Sequence, residues 1–195
     1  DIPGYEITRR DWEVWQAQEK DVWLLYAYED GDKLTDREHL DEYLSYAEEA
    51  YDTDRELFNR RNPWYCVDKR DPAPILAKYM SRTGSQFIYN GADIRALNNF
   101  HHIDPDFEPY EKPVKALLAY LNSNIVRKEI SKVSRSYSGL EKIELGNLKS
   151  APVIDPEELE AAAVERLAAL FDKLEQRERD DSNVEDAREE IDDTL

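Results

Sequence analysis

The sequence predicts an α+β fold: a small, mostly antiparallel sheet flanked by helices, with a C-terminal helix and a charged tail. Three observations predict it. The centre of the 195-residue chain is cut into short apolar stretches by Asp-Pro, Thr-Gly and Asn-Gly turns. The segments before and after the centre repeat apolar residues at helical spacing. The end, from Arg179 to Leu195, is almost wholly charged.

Thr8-Arg9-Arg10-Asp11 reads as an N-cap with an acid three positions on, opening a short helix with Trp12 and Trp15 at i, i+3. Val22 to Tyr28 reads as a buried strand closed by the turn Glu29-Asp30-Gly31-Asp32. Thr35-Asp36-Arg37-Glu38 is a capping box for a helix carrying Leu40, Tyr43, Leu44, Ala47, Ala50, Tyr51 and later Leu57-Phe58, ended by Asn62-Pro63. The central strands are Trp64–Val67, Ile75–Met80, Gln86–Asn90 and Ala96–Ile103. Glu111-Lys112-Pro113 starts a helix from Val114 to about Lys132, followed by a polar loop, Ser134 to Gly139. Leu140 to Leu148 returns to extended structure. Asp155-Pro156-Glu157-Glu158 combines an Asp cap, an N1 proline and acids in the first turn, and opens a helix to about Arg177. The charged end reads as frayed or disordered. The expected organisation is an N-terminal helical and strand linker over 1–60, an α+β core over 61–153, a helix over 154–178 and an acidic tail over 179–195.

Cys66 is the single cysteine, which excludes an internal disulfide and fits a reducing cytoplasm. No apolar run approaches the ~20 residues that span a bilayer. The chain opens on Asp1-Ile2-Pro3-Gly4 and reads as a piece of a longer polypeptide. Its net charge of −18 opposes phosphate binding on average. The distribution is uneven. Residues 1–54 carry 5 basic and 17 acidic side chains, residues 55–150 carry 16 and 11, and residues 151–195 carry 5 and 16. A cationic centre lies between acidic ends. The wholesale acidity, with 15 Arg to 11 Lys, also suits a salt-rich cytoplasm.

A self-sufficient catalytic site is missing from the pattern. The six glycines form neither GxGxxG nor GxxxxGK[ST], and no HExxH occurs. His101 and His102 are neighbours that a strand points to opposite faces, so they cannot easily share a metal. Asn62-Pro63-Trp64-Tyr65 is similar to the Asn-Pro-Pro-Tyr loop that holds a flipped adenine, but Trp64 replaces the second proline and no glycine-rich cofactor turn lies upstream. It reads instead as a helix stop before a strand with a buried tryptophan.

Three central blocks in order resemble the C-terminal target-recognition region of TaqI-like adenine-specific DNA methyltransferases, including fused restriction–modification proteins. The first runs from Asn62-Pro63-Trp64-Tyr65 through Pro74-Ile75-Leu76 to Tyr79-Met80-Ser81-Arg82. The second is Phe87-Ile88-Tyr89-Asn90 with Asn98-Asn99-Phe100-His101-His102-Ile103. The third is Ala116 to Ser123, followed by Ser134 to Gly139 and by Leu145 to Val153. With Ile2-Pro3-Gly4-Tyr5 and Trp23-Leu24-Leu25, the resemblance covers roughly residues 2–175. It implies a region that reads double-stranded DNA for a catalytic methyltransferase domain in the same polypeptide. S-adenosylmethionine would bind in that domain, with no catalytic residue, metal or cofactor site in this chain.

A duplex reader needs cations and amides for phosphates, and Arg, Lys, Asn or Gln for base edges. Lys69, Arg70, Lys78 and Arg82 lie in or beside the expected sheet, with Arg82 in a turn able to project it. Asn98, Asn99, His101 and His102 form a polar run where a strand core would be apolar. Lys132, Ser134, Arg135, Ser136 and Tyr137 belong to a basic, hydroxyl-rich segment suited to clamping a backbone. The competing expectation is a protein-interaction or oligomerisation module using the Leu159–Leu174 stripe, or an acidic DNA mimic.

Overall fold

The computed structural model describes residues 2–18, 37–66, 71–108 and 110–195, apart from the side chains of Arg37, Leu57 and Tyr137. In chain order the helices are α1 (Arg9–Ala17), α2 (Arg37–Ala50), α3 (Glu56–Asn59), α4 (Glu111–Leu121), α5 (Asn124–Val133), α6 (Leu145–Lys149), α7 (Ala161–Arg179) and α8 (Glu185–Asp192). The strands are β1 (Ile75–Lys78), β2 (Met80–Ser81), β3 (Phe87–Tyr89), β4 (Phe100–Ile103), β5 (Arg135–Tyr137) and β6 (Leu140–Lys142). They form two antiparallel sheets, β3-β1-β4 and β2-β6-β5, and the class is α+β.

Ile75, Leu76 and Ala77 are fully buried because β1 is covered on both faces. Ile75, Ala77 and Phe87 face the larger core, built with Val114, Leu117 and Leu118 of α4 and Leu170, Phe171 and Leu174 of α7. Leu76 and Ile88 face a smaller core with Ile7 and Ala92, against which Trp12 and Trp15 of α1 pack. Each fully buried Val, Leu, Ile or Phe among them contributes about 1.5–3 kcal/mol by burial. The outer edge of β3 is closed twice. Tyr89 exchanges backbone bonds with Tyr5 and Ile7 at 2.8 and 2.9 Å, and the Asn122 amide brackets Phe87, accepting from its N–H at 3.0 Å and donating to its carbonyl at 2.9 Å.

That pairing assigns residues 1–19 to the larger compact unit, with 72–195, while 20–71 form a second unit. The N-terminal segment is thus part of the sheet layer rather than of a linker running to residue 60. In the second unit, α2 buries Leu44 and Ala47.

The expected cap of α1 is present: the Thr8 hydroxyl accepts from the Asp11 N–H at 3.2 Å, and the Asp11 carboxylate accepts from the Thr8 N–H at 2.8 Å. Other expectations are corrected. The single helix over 114–132 is two helices, because Asn122 leaves the helix to bond Phe87 and the Ser123 hydroxyl then caps α5, accepting from Val126 N–H at 3.2 Å. Half of the polar loop 134–139 is strand, Arg135–Tyr137. Ser138 and Gly139, at φ 50° and 76°, make the two-residue turn that joins β5 to β6. Past β6, Leu145–Lys149 is helical rather than extended.

Asp155 caps no helix: its carboxylate accepts from Glu157 N–H at 2.9 Å in a local turn, and α7 begins at Ala161. The charged tail is not disordered over Glu185–Asp192, where Ala187 and Ile191, one turn apart, are fully buried in the larger core. Trp64 to Cys66 form a turn rather than a strand, with Cys66 N–H bonded to Pro63 O at 3.0 Å. Trp64 is half-buried, its ring edge-on to Phe58 and Tyr65 and its Nε1 donating to Glu48 at 2.8 Å. The strand and turn expected over 22–32, and the start of the capping box at Thr35, lie outside the described residues. The α7 stripe, the alternative partner surface, is largely consumed by the core: Leu167, Leu170, Phe171 and Leu174 are buried. No described helix is long and apolar enough to cross a membrane.

Candidate nucleic-acid interface

β1 and β2 are one bent strand that leaves the first sheet and enters the second. The pivot is Tyr79, whose N–H donates to Asn99 O and whose carbonyl accepts from Ile143 N–H, both at 3.0 Å. The register of the second sheet then lines up Met80, Lys142 and Arg135 in one cross-strand row and Ser81, Glu141 and Ser136 in the next. Opposed residues of an antiparallel ladder share a face, and successive ones alternate. Ser81 is buried at 7% exposure, while Met80 is 47% exposed. The row of Met80, Lys142 and Arg135 therefore takes the outer face. Arg82 follows β2 on the same alternation, and is exposed. The axes of the three strands span about 10 Å.

The row is tied to β4 by side chains. The Lys142 ammonium lies 5.1 Å from the centre of the Tyr79 ring and 2.9 Å from the Glu144 carboxylate. Tyr79 stands edge-on to His101 at 5.4 Å, and the His101 Nε2 is bonded to Ile143 O at 2.8 Å. The hydrogen bond from Lys142 holds the Glu144 carboxyl below its usual range, with smaller help from Arg135 and His101. Contacts with Tyr79 and Glu144 hold the Lys142 ammonium above its usual range. The side chains of Arg82 and Arg135 make no hydrogen bond or ion pair among the described residues.

The structure thus brings Arg82, Arg135 and His101 to one region, with Ser136 on the neighbouring row. Asn98 and Asn99 are exposed in the turn before β4, next to the Tyr79 pivot. Tyr137 pairs with Leu140 at the end of the ribbon. Four candidates are placed otherwise. His102, which pairs with Leu76 on the other face of β4, has its Nε2 bonded to Ala96 O at 3.0 Å. Lys78 is half-buried on β1, and burial pushes its ammonium down. Lys132 pairs with Glu129 at 2.5 Å, and the Ser134 hydroxyl donates to Ile130 O at 2.8 Å, closing α5. Lys69 and Arg70 lie outside the described residues. Lys142 and Tyr79 were missed by sequence reasoning. Strand alternation within Leu140–Lys142 was the available signal for Lys142, but its partner strands are distant in sequence.

The family described as Type II methyltransferase M.Eco57I, C-terminal domain, matches residues 1–195, the whole chain. The chain is 28% identical over 191 residues to Type II methyltransferase M.AccI of Acinetobacter calcoaceticus, which is 97% of this chain and 34% of that protein. It is 34% identical over 91 residues to Type II methyltransferase M.XamI of Xanthomonas campestris pv. amaranthicola, 46% of this chain and 17% of that protein. The chain spans about a third of the length of the first relative and less of the second. By its full-length match, the chain belongs to the M.Eco57I C-terminal-domain family of Type II methyltransferases.

Proposed function

We propose that this chain is the target-reading region of a site-specific DNA methyltransferase that acts on the adenine amino group. The observation that carries it is the outer face of the second sheet. There Arg82, in the turn after β2, and Arg135, on β5, make no hydrogen bond or ion pair among the described residues and share a face with Lys142, which is linked to His101 through Tyr79. Guanidinium groups suit both tasks of a duplex reader, bonding phosphates and forking onto the edge of guanine. The net charge of −18 does not oppose this, because the acid is concentrated at the two ends of the sequence while residues 55–150 carry 16 basic against 11 acidic side chains.

Methyl transfer belongs to a catalytic domain in the same polypeptide. Among the described residues the glycines stand singly at a strand edge, in turns and within the five-residue α6, and form no glycine-rich turn between a strand and a helix that would hold S-adenosylmethionine. The region's role is to set which adenine reaches that domain. Placing this chain in M.AccI, in exchange for its matching region, and mapping the methylated sites tests the reading. The target sequence is expected to move with the region. A hybrid that keeps the M.AccI target would contradict it.

A further inference from the structure

Arg82 sits in a turn that is fixed from beneath. Arg127, on α5, donates from Nη1 to Ser85 O at 2.7 Å and from Nη2 to Thr83 O. The Ser81 hydroxyl accepts from Thr83 N–H at 3.2 Å and closes the turn from its other side. Gly84, at φ +87°, lies so close that a Cβ there would stand 2.8 Å from Arg127 Nη2. The bonds from Arg127 go to backbone carbonyls rather than to a carboxylate. Burial and the nearby charge of Arg188 both act against its cationic form. A half-buried guanidinium held this way is costly to desolvate. What it secures is the backbone of 83–85 and, through it, the point from which Arg82 projects.

We propose that Arg127 is a positioning residue for base reading, fixing the turn from which Arg82 meets DNA. The inference rests on the DNA-reading function proposed above. Arg127 touches no base itself. It removes the freedom of the turn, so that the Arg82 fork arrives in one orientation rather than many, and orientation is what a bidentate contact to a base edge requires.

The test is selection from a pool of duplexes with randomised centres by the full chain, with thermal melting of each variant alongside. Arg82→Ala should flatten the preference at one or two base pairs by roughly tenfold. Arg127→Gln should flatten the same positions, and the double variant should be no worse than Arg82→Ala alone. Arg127→Lys, which reaches only one of the two carbonyls, should restore part of the preference. A purely structural arginine would instead weaken binding evenly at every position and equally in both backgrounds, which would overturn the inference. So would an Arg127→Gln protein that keeps the preference absent from Arg82→Ala.

If Arg127→Gln does not fold, Gly84→Ala keeps the arginine but strains the turn and pushes its guanidinium away from it. It must flatten the same positions, and unchanged preference would overturn the inference. If Arg82→Ala leaves the selected sites unchanged while Arg135→Ala and Lys142→Ala alter them, Arg127 positions nothing and DNA reading stands. If none of the three alters the selection, both proposals fail.

Discussion

Residues 75–81 run through two sheets that treat them in opposite ways. In the first, Ile75, Leu76 and Ala77 are covered on both faces, and Asn122 and the N-terminal segment close the outer edge of β3. In the second, Ser81 is buried while Met80 is open to solvent. Four arginines show a matching contrast. Arg179 makes two bonds to the Asp11 carboxylate, at 3.0 and 2.9 Å, one to Glu6 O at 2.9 Å and one to Glu175. Arg188, buried at 6% exposure, bonds Tyr5 and Glu185. Arg82 and Arg135 have no such partners among the described residues. Charge satisfied inside the fold holds the molecule together, and charge left free on rigid backbone remains available to a ligand.

Perturbing the two regions should therefore give separable losses. Phe87→Ala, in the fully covered sheet, is expected to cost about 3–5 kcal/mol of stability by denaturant unfolding. A loss below about 1 kcal/mol would mean that Phe87 is not part of a tightly packed core. Arg179→Gln strips Asp11 and Glu175 of their shared cation, and should cost about 2–3 kcal/mol by the same measurement.

Asp11 gives a smaller effect with a defined pH window. Its hydrogen bonds from Arg179 and Thr8 lower its pKa from 3.8 to about 2. A carboxyl with a depressed folded pKa stabilises the fold above its unfolded value, and the benefit fades as pH falls through the folded one. The stability gap between wild type and Asp11→Asn should be about 1 kcal/mol at neutral pH, allowing for solvent screening. It should close as pH falls from 3.8 towards about 2. Glu175 and Glu6, raised by burial, act in the opposite sense and gain stability as pH falls through their range. A gap independent of pH would show that Asp11 is not the group titrating there.

Much of the first sheet was legible because its signals are local. Apolar runs at Ile75 and Phe87 are bounded by turn residues, and the Thr8–Asp11 box spans one helical turn. The failures come from partners distant in sequence. Leu121-Asn122-Ser123 continues a helical pattern, and only the bond to Phe87, 35 residues away, explains the break. Asp155 has two possible backbone roles, and its carboxylate takes the local turn. In the tail, Ala187 and Ile191 are a faint apolar signal among acids, yet they find a core already assembled by α4, α5 and α7. Arg82 was visible as a candidate through its turn. Lys142 was not, because its place beside Met80 and Arg135 depends on strand pairing that no local pattern specifies.

The most direct test of the central claim is the salt dependence of duplex binding by the wild-type chain and by Arg82→Glu/Arg135→Glu. Both side chains are exposed and free, so unfolding stability should stay within about 0.5 kcal/mol. If both meet DNA, affinity should fall by at least about tenfold, and the slope of log affinity against log salt should shrink by about 1 for each phosphate that is no longer neutralised. An unchanged affinity and slope in a stably folded variant would contradict the account and remove the second sheet as the DNA-reading face.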